Sequence, residues 1–89
     1  MTSDQIRLRS DALEWRELDG EIVALDLRTS TYLAVNRTGA AVWPMVVAGA
    51  TEGELTDQIT RDFGVSREIA EEGLRSFLDE LDEHDLLDR

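Results

Sequence analysis

Few residues in this chain could do chemistry, and their spacing assembles no reaction. His84 is the single histidine and cysteine is absent. A catalytic nucleophile needs a base within hydrogen-bond reach. Ser10, Ser30, Ser66 and Ser76 stand in no motif that supplies one. His84 falls near the end of a helical stretch, where the helix dipole favours a cation, and that role accounts for it. Asp79, Glu80, Asp82, Glu83 and Asp85 crowd together. They lack the alternating ligands and turn glycine of a calcium loop and read as a solvated helix face. No Gly-rich phosphate loop or nucleotide fingerprint occurs. The sequence therefore predicts no catalytic residue, no metal ligand set and no cofactor. It points to recognition.

The stretch from Tyr32 to Trp43 is where recognition would sit. A short apolar strand, Tyr32-Leu33-Ala34-Val35, ends on Asn36 and turns at once into a small-residue helix. No strand signal follows, so this strand is expected to be the last of its sheet. A last strand has a free edge, and a free edge can accept another chain.

The elements that must position this edge are legible from pattern. Asp19-Gly20 lies between two strand-like runs, Leu13 to Leu18 and Glu21 to Leu27, and predicts a hairpin pairing Leu18 with Glu21 and Trp15 with Ala24. A polar turn at Arg28 to Thr31 leads into the third strand. Ile6 to Arg9 alternates like a short strand, and Met1 to Gln5 reads as frayed. Asn36 caps a first helix over 37–48, which Pro44 should kink or break near Trp43. Thr51 and Glu54 form a capping box for a second helix with the stripe Leu55, Ile59 and Phe63, stopped at Gly64. Ser66 caps a third helix whose stripe is Ile69, Ala70, Leu74, Phe77, Leu78 and Leu81. Leu86-Leu87 reads as an apolar C-terminal latch. Trp15, Trp43, Phe63 and Phe77 are expected in the core. Tyr32 fits either the core or a groove wall.

Strands followed by helices predict an α+β fold: a three-stranded antiparallel sheet and then three helices, with a winged helix-turn-helix outline. The 89 residues predict one domain, 1–89, with a small core, since a chain this short buries only about 60% of its unfolded surface. No apolar run nears the roughly 20 residues of a membrane span, and no signal-peptide segment is visible, so a cytoplasmic protein is expected. All nine basic residues are Arg, and the net charge is −11. That field disfavours a phosphate backbone and favours a cationic partner.

The chain resembles the PqqD-like family, the peptide-binding modules called RiPP recognition elements. The resemblance is carried by Val23-Ala24-Leu25-Asp26-Leu27, Tyr32 to Asn36, Thr38-Gly39-Ala40-Ala41-Val42-Trp43, Ile59 to Phe63, Phe77 to Leu81 and Leu86-Leu87. Tyr-Leu-x-Val-Asn-x-Thr-Gly looks most like the stand-alone leader-binding proteins of lasso-peptide clusters. The resemblance implies a non-catalytic module. It would hold the leader of a ribosomally made precursor beside the third strand and the third helix. It would then present the precursor to a separate leader peptidase and a macrolactam cyclase. Gly73 departs from the acidic residue that many members carry there, with Glu72 or Asp79 as substitutes, and Pro44 interrupts a helix usually kept regular.

Helical spacing names an expected groove wall: Glu71, Leu74, Arg75, Leu78, Asp79 and Asp82 recur at three and four. Leu74 and Leu78 would take an apolar anchor, and the acids would meet basic leader residues. Arg75 reads as a groove contact or as an ordinary solvated side chain. With Tyr32, Leu33, Ala34 and Val35 these form the expected leader site. The alternative is a small winged-helix DNA-binding regulator. Its recognition helix should be basic, whereas the segment from Ser66 onward is acidic. A generic interaction domain is the remaining reading.

Overall fold

The computed structural model describes residues 5–88. The frayed reading of the N-terminus falls, for residues 1–4, outside the described residues, and Gln5 itself begins a strand. In chain order the elements are β1 (Gln5–Ile6), a 3-10 turn at Ser10–Ala12, β2 (Leu13–Leu18), β3 (Glu21–Asp26), β4 (Thr31–Val35), α1 (Arg37–Ala48), β5 (Ala50–Thr51), α2 (Glu52–Phe63) and α3 (Arg67–Glu83).

The hairpin forms as its turn dictates. Asp19 and Gly20 have φ of 53° and 79°, the paired positive values a type I′ turn requires. Leu18 then faces Glu21, and Trp15 faces Ala24. β4 pairs antiparallel with β3, Val35 opposite Ile22 and Thr31 opposite Asp26. Side chains alternate across a strand, so Leu13, Ile22, Ala24, Leu33 and Val35 share the buried inner face. β4 is the last strand of the sheet β2-β3-β4. A later strand, β5, does exist, but it pairs with β1 in a separate two-stranded ribbon.

Each helix begins on the cap the sequence supplies. Asn36 accepts from the Gly39 N–H at 2.7 Å, Thr51 and Glu54 complete a capping box, and Ser66 accepts from the Ile69 N–H at 3.2 Å. The expected break near Trp43 does not occur, because α1 is continuous through Pro44. One donor is lost, but Val42, Trp43 and Val46 are buried on the opposite face while Pro44 itself is exposed. Tertiary burial outweighs the missing hydrogen bond. Leu86 and Leu87 are buried and close the chain on its own start. The Arg9 N–H donates to the Leu86 carbonyl at 2.7 Å, and the Asp88 N–H to that of Arg7 at 2.8 Å. Among the described residues no helix is long and apolar enough to cross a membrane.

Three expected core residues lie largely outside it. Phe63 is 40% exposed and Ile69 60%. A four-residue repeat overshoots a 3.6-residue turn by about 40° per step, so the stripe Leu55, Ile59, Phe63 rotates off the core by its third member. The buried stripe of α3 is Ala70, Leu74, Phe77 and Leu81, which leaves Ile69 on its shoulder. Trp15 points inward but sits on an edge strand, so part of its ring stays open while the rest meets Trp43 edge-on at 5.6 Å.

The tightest packing is at Gly39. A Cβ there would lie 2.5 Å from the Phe77 ring and 2.7 Å from Val35 Cγ1. Gly39→Ala should therefore lower stability by about 1–2 kcal/mol, overpacking of roughly 1–3 kcal/mol being partly offset by the better helix propensity of alanine. Gly73 offers the contrast, since a Cβ there would touch only Thr38, at 3.4 Å or more. Gly73→Ala should be neutral or stabilising by up to about 1 kcal/mol. Urea unfolding of both variants reads the difference. Equal effects at the two positions would show that the Gly39 contact does not constrain the packing.

Candidate functional site

The site begins at the edge of β4. Every second residue of an edge strand turns its N–H and C=O away from the sheet, and β4 has a partner on one side only. The other edge, β2, is guarded. It reads Leu-Glu-Trp-Arg-Glu-Leu, with charges at Glu14, Arg16 and Glu17, whereas β4 reads Thr-Tyr-Leu-Ala-Val with none. Charged side chains and proline are the usual means of blunting an edge, and β4 has neither. Of its residues, Leu33 and Val35 face the core and Ala34 and Tyr32 face outward, Tyr32 with 71% of its surface exposed.

α3 runs antiparallel alongside this strand. At the Val35 end, Phe77 closes on Gly39, and Gly73 lies against Thr38. At the Thr31 end, Arg28 in the turn before β4 donates to the carbonyls of His84 at 3.2 Å and Asp85 at 3.1 Å. The helix from Phe77 to His84 therefore lies beside the strand from Val35 back to Thr31.

These contacts also fix the rotation of α3. The flank that meets the β4–α1 junction carries Gly73, and by helical rotation Ser76, Glu80 and His84. The flank carrying Arg67 and Glu71 turns toward α2, where Arg67 bonds Asp57 at 2.6 Å and reaches Glu71 at 3.7 Å. Of the wall expected from sequence, Glu71, Arg75, Leu78 and Asp82 fall on that second flank. Asp79 points straight away from the buried stripe. Leu74 is only 1% exposed and belongs to the core. A spacing of three and four defines a face of the helix but not which neighbour the face meets. The flank that meets the β4–α1 junction is the one carrying Gly73, which lies against Thr38.

The outer face of the sheet holds a second feature, which the hairpin parity makes readable. Leu18, Val23, Leu25 and Tyr32 floor a hollow of about 560 Å³ rimmed by Glu14 and Arg16. It lies on the opposite side of the sheet from the helices. Tyr32 is thus placed on neither the core nor the α3 side but at the outer corner of the open edge.

Electrostatics concentrate at one end of the site. Asp26 is buried, 4% exposed, yet charged. Its carboxylate accepts from the Arg28 N–H at 2.9 Å and from the guanidinium at 3.2 Å through each oxygen. The bonded Arg28 guanidinium holds the Asp26 carboxyl below the usual carboxylate range against the opposing effect of burial. His84 stands at the C-cap of α3, the place its dipole role predicts. Among the described residues no group of three or more His, Cys, Asp or Glu is placed to hold a metal ion.

Residues 21–87 match the family of Coenzyme PQQ synthesis protein D (PqqD). Among solved structures, the chain is similar to TbiB1 in complex with the TbiA(beta) leader peptide. The identity is 33% and the TM-score 0.80, over 92% of this chain and 94% of that one. It also shares the fold of lasso peptide synthetase B1 complexed with the leader peptide, at 24% identity and TM-score 0.77, over 94% and 98% of the two chains. No curated protein sequence matches it.

The Asp26–Arg28 pair gives a pH signature. Because the folded carboxyl titrates below its unfolded value, its stabilisation is complete above the unfolded pKa, about 4. It is lost as pH falls through the folded value. Asp26→Asn should melt lower than the parent at neutral pH, and the gap between the two melting temperatures should narrow as pH falls below about 4. A gap that stays constant there would show that the carboxylate charge does not stabilise the fold.

Proposed function

This chain belongs to the PqqD family, and on that premise we propose that it binds the leader segment of a ribosomally made precursor peptide by strand addition at β4. The observation that carries the reading is the uncharged, unpaired β4 edge with α3 held alongside it. The similar TbiB1 structure is a complex with its own leader peptide. Main-chain hydrogen bonds along β4 would supply affinity, and alternate side chains would supply selectivity. One set would point toward α3, against Phe77, Glu80 and His84. The other would lie at the outer corner beside Tyr32, above the hollow. The protein does no chemistry on the peptide. It hands the bound precursor to a separate leader peptidase, and the product passes to a macrolactam cyclase of lasso-peptide biosynthesis. The acidic surface of α3 suits a basic leader, and such attraction is screened over about 8–10 Å at physiological salt.

A fluorescein-labelled synthetic leader of the cognate precursor tests the reading. It should bind, its affinity should fall modestly as salt rises, and its mass should stay unchanged after incubation. Amide shifts on titration should concentrate on residues 31–35 and on the Gly73, Phe77, Glu80 flank. Glu80→Arg should weaken binding severalfold, while Arg75→Ala and Leu78→Asp, on the opposite flank, should act only through stability, which circular dichroism monitors. Shifts confined to the Asp19-Gly20 hairpin or to α2, or cleavage of the peptide by the protein alone, would refute the proposal.

A further inference from the structure

Arg28 joins the two walls of the proposed cleft, and we propose that it is a positioning residue for leader binding, one that holds α3 at a fixed separation from β4. The inference deepens the reading above and rests on it. On the sheet side, Arg28 is anchored by both oxygens of buried Asp26 at 3.2 Å, and Asp26 is itself fixed in register opposite Thr31. On the helix side it grips backbone, the carbonyls of His84 and Asp85, and adds the Asp85 carboxylate at 3.4 Å. A planar fork of donors can serve both sides at once, which an ammonium cannot. Arg9 reinforces the same end from the N-terminal segment, with Asp85 at 3.4 Å and the Leu87 carbonyl at 3.3 Å.

The last turn of α3 carries no basic residue and His84 stands at its C-cap; Arg28 brings a permanent cation to the carbonyls at this end, where the helix dipole favours one. The opposite end of the cleft is already pinned by Val35, Gly39 and Phe77. Arg28 is therefore the device at the Thr31 end. Without it this end keeps Arg9 and the buried Leu86-Leu87 latch but loses its tie to the strand side, and a smaller fraction of molecules present the edge and the helix at the binding distance. Apparent affinity falls by that fraction.

This cause has a kinetic signature. Loss of a competent fraction lowers the association rate, whereas loss of a direct contact raises the dissociation rate. Stopped-flow binding of the labelled cognate leader is measured for the parent, Arg28→Lys and Arg28→Ala, at a temperature where all are folded. We expect Arg28→Ala to lose roughly fivefold to tenfold in association rate with dissociation unchanged. Arg28→Lys, with the charge but not the fork, should recover part of that loss. In the leader-free state, the amide shifts of Arg28→Ala should move on both walls, near residues 31–33 and 80–85. Should Arg28→Ala not fold, Asp85→Asn removes one charged acceptor from a side chain that is 72% exposed. Asparagine also tolerates the positive φ of 56° at that position. It should show a smaller loss in the same rate constant. Unchanged rates, or a raised dissociation rate with normal association, would overturn the proposal while leaving leader binding intact. A parent protein that does not bind the leader would refute the binding reading itself.

Discussion

The meeting of Val35, Gly39 and Phe77, with no room for a methyl group among them, is the contact the fold is arranged around. Three elements converge there: the end of β4, the first turn of α1 and the middle of α3. A methyl would hold them apart, and dense interiors do not yield to an added carbon without strain. Asn36 makes the convergence feasible by capping α1 immediately after the strand. The chain thus turns within one residue and brings Gly39 back under the helix. From there Trp43 follows along α1 to lie 6.3 Å from Phe77 and 5.6 Å from Trp15. One close approach thereby aligns the sheet, the first helix and the third.

The same convergence leaves β4 at the border of the molecule rather than under a helix. β3 supports it from the side and α1 packs against it from within, and its far edge stays open. An open, uncharged edge is a liability in most proteins. Here the high negative charge, −11 over 89 residues, opposes self-association, since a second copy brings the same sign. A partner strand of opposite charge meets no such barrier. The charges placed on β2 and withheld from β4 fit this division between a guarded edge and a receptive one.

The ends of the α3–β4 pair are fixed by different physics. Packing holds one, through a contact that needs no charge and depends on the absence of a side chain. The other is held by a guanidinium shared between a buried carboxylate and the carbonyls of His84 and Asp85 just past the end of α3. The first should be insensitive to acid and the second should not.

The hairpin register, the three caps, the order of strands and helices, and the C-terminal latch all depend on interactions within a few residues or on simple periodicity. Asp19-Gly20, Asn36, Thr51 with Glu54, and Ser66 therefore declare them in the sequence. The open edge at Tyr32 to Val35 was also legible, because it follows from strand order. What only the tertiary structure decided was direction. Phe63 and Ile69 belong to apolar patterns, but a helical stripe drifts, and packing buried Ala70, Leu74, Phe77 and Leu81 of the expected α3 stripe while leaving Ile69, and Phe63 of α2, outside. Leu74 and Leu78 share a spacing, yet one is sealed in the core and the other lies on the flank away from Gly73. Arg28 has one local partner, Asp26 two positions back, but nothing local signals its bonds to the end of α3, since those partners stand 56 and 57 positions away. A periodic pattern specifies which residues share a face, but the partner of that face is set by contacts between segments far apart in the chain.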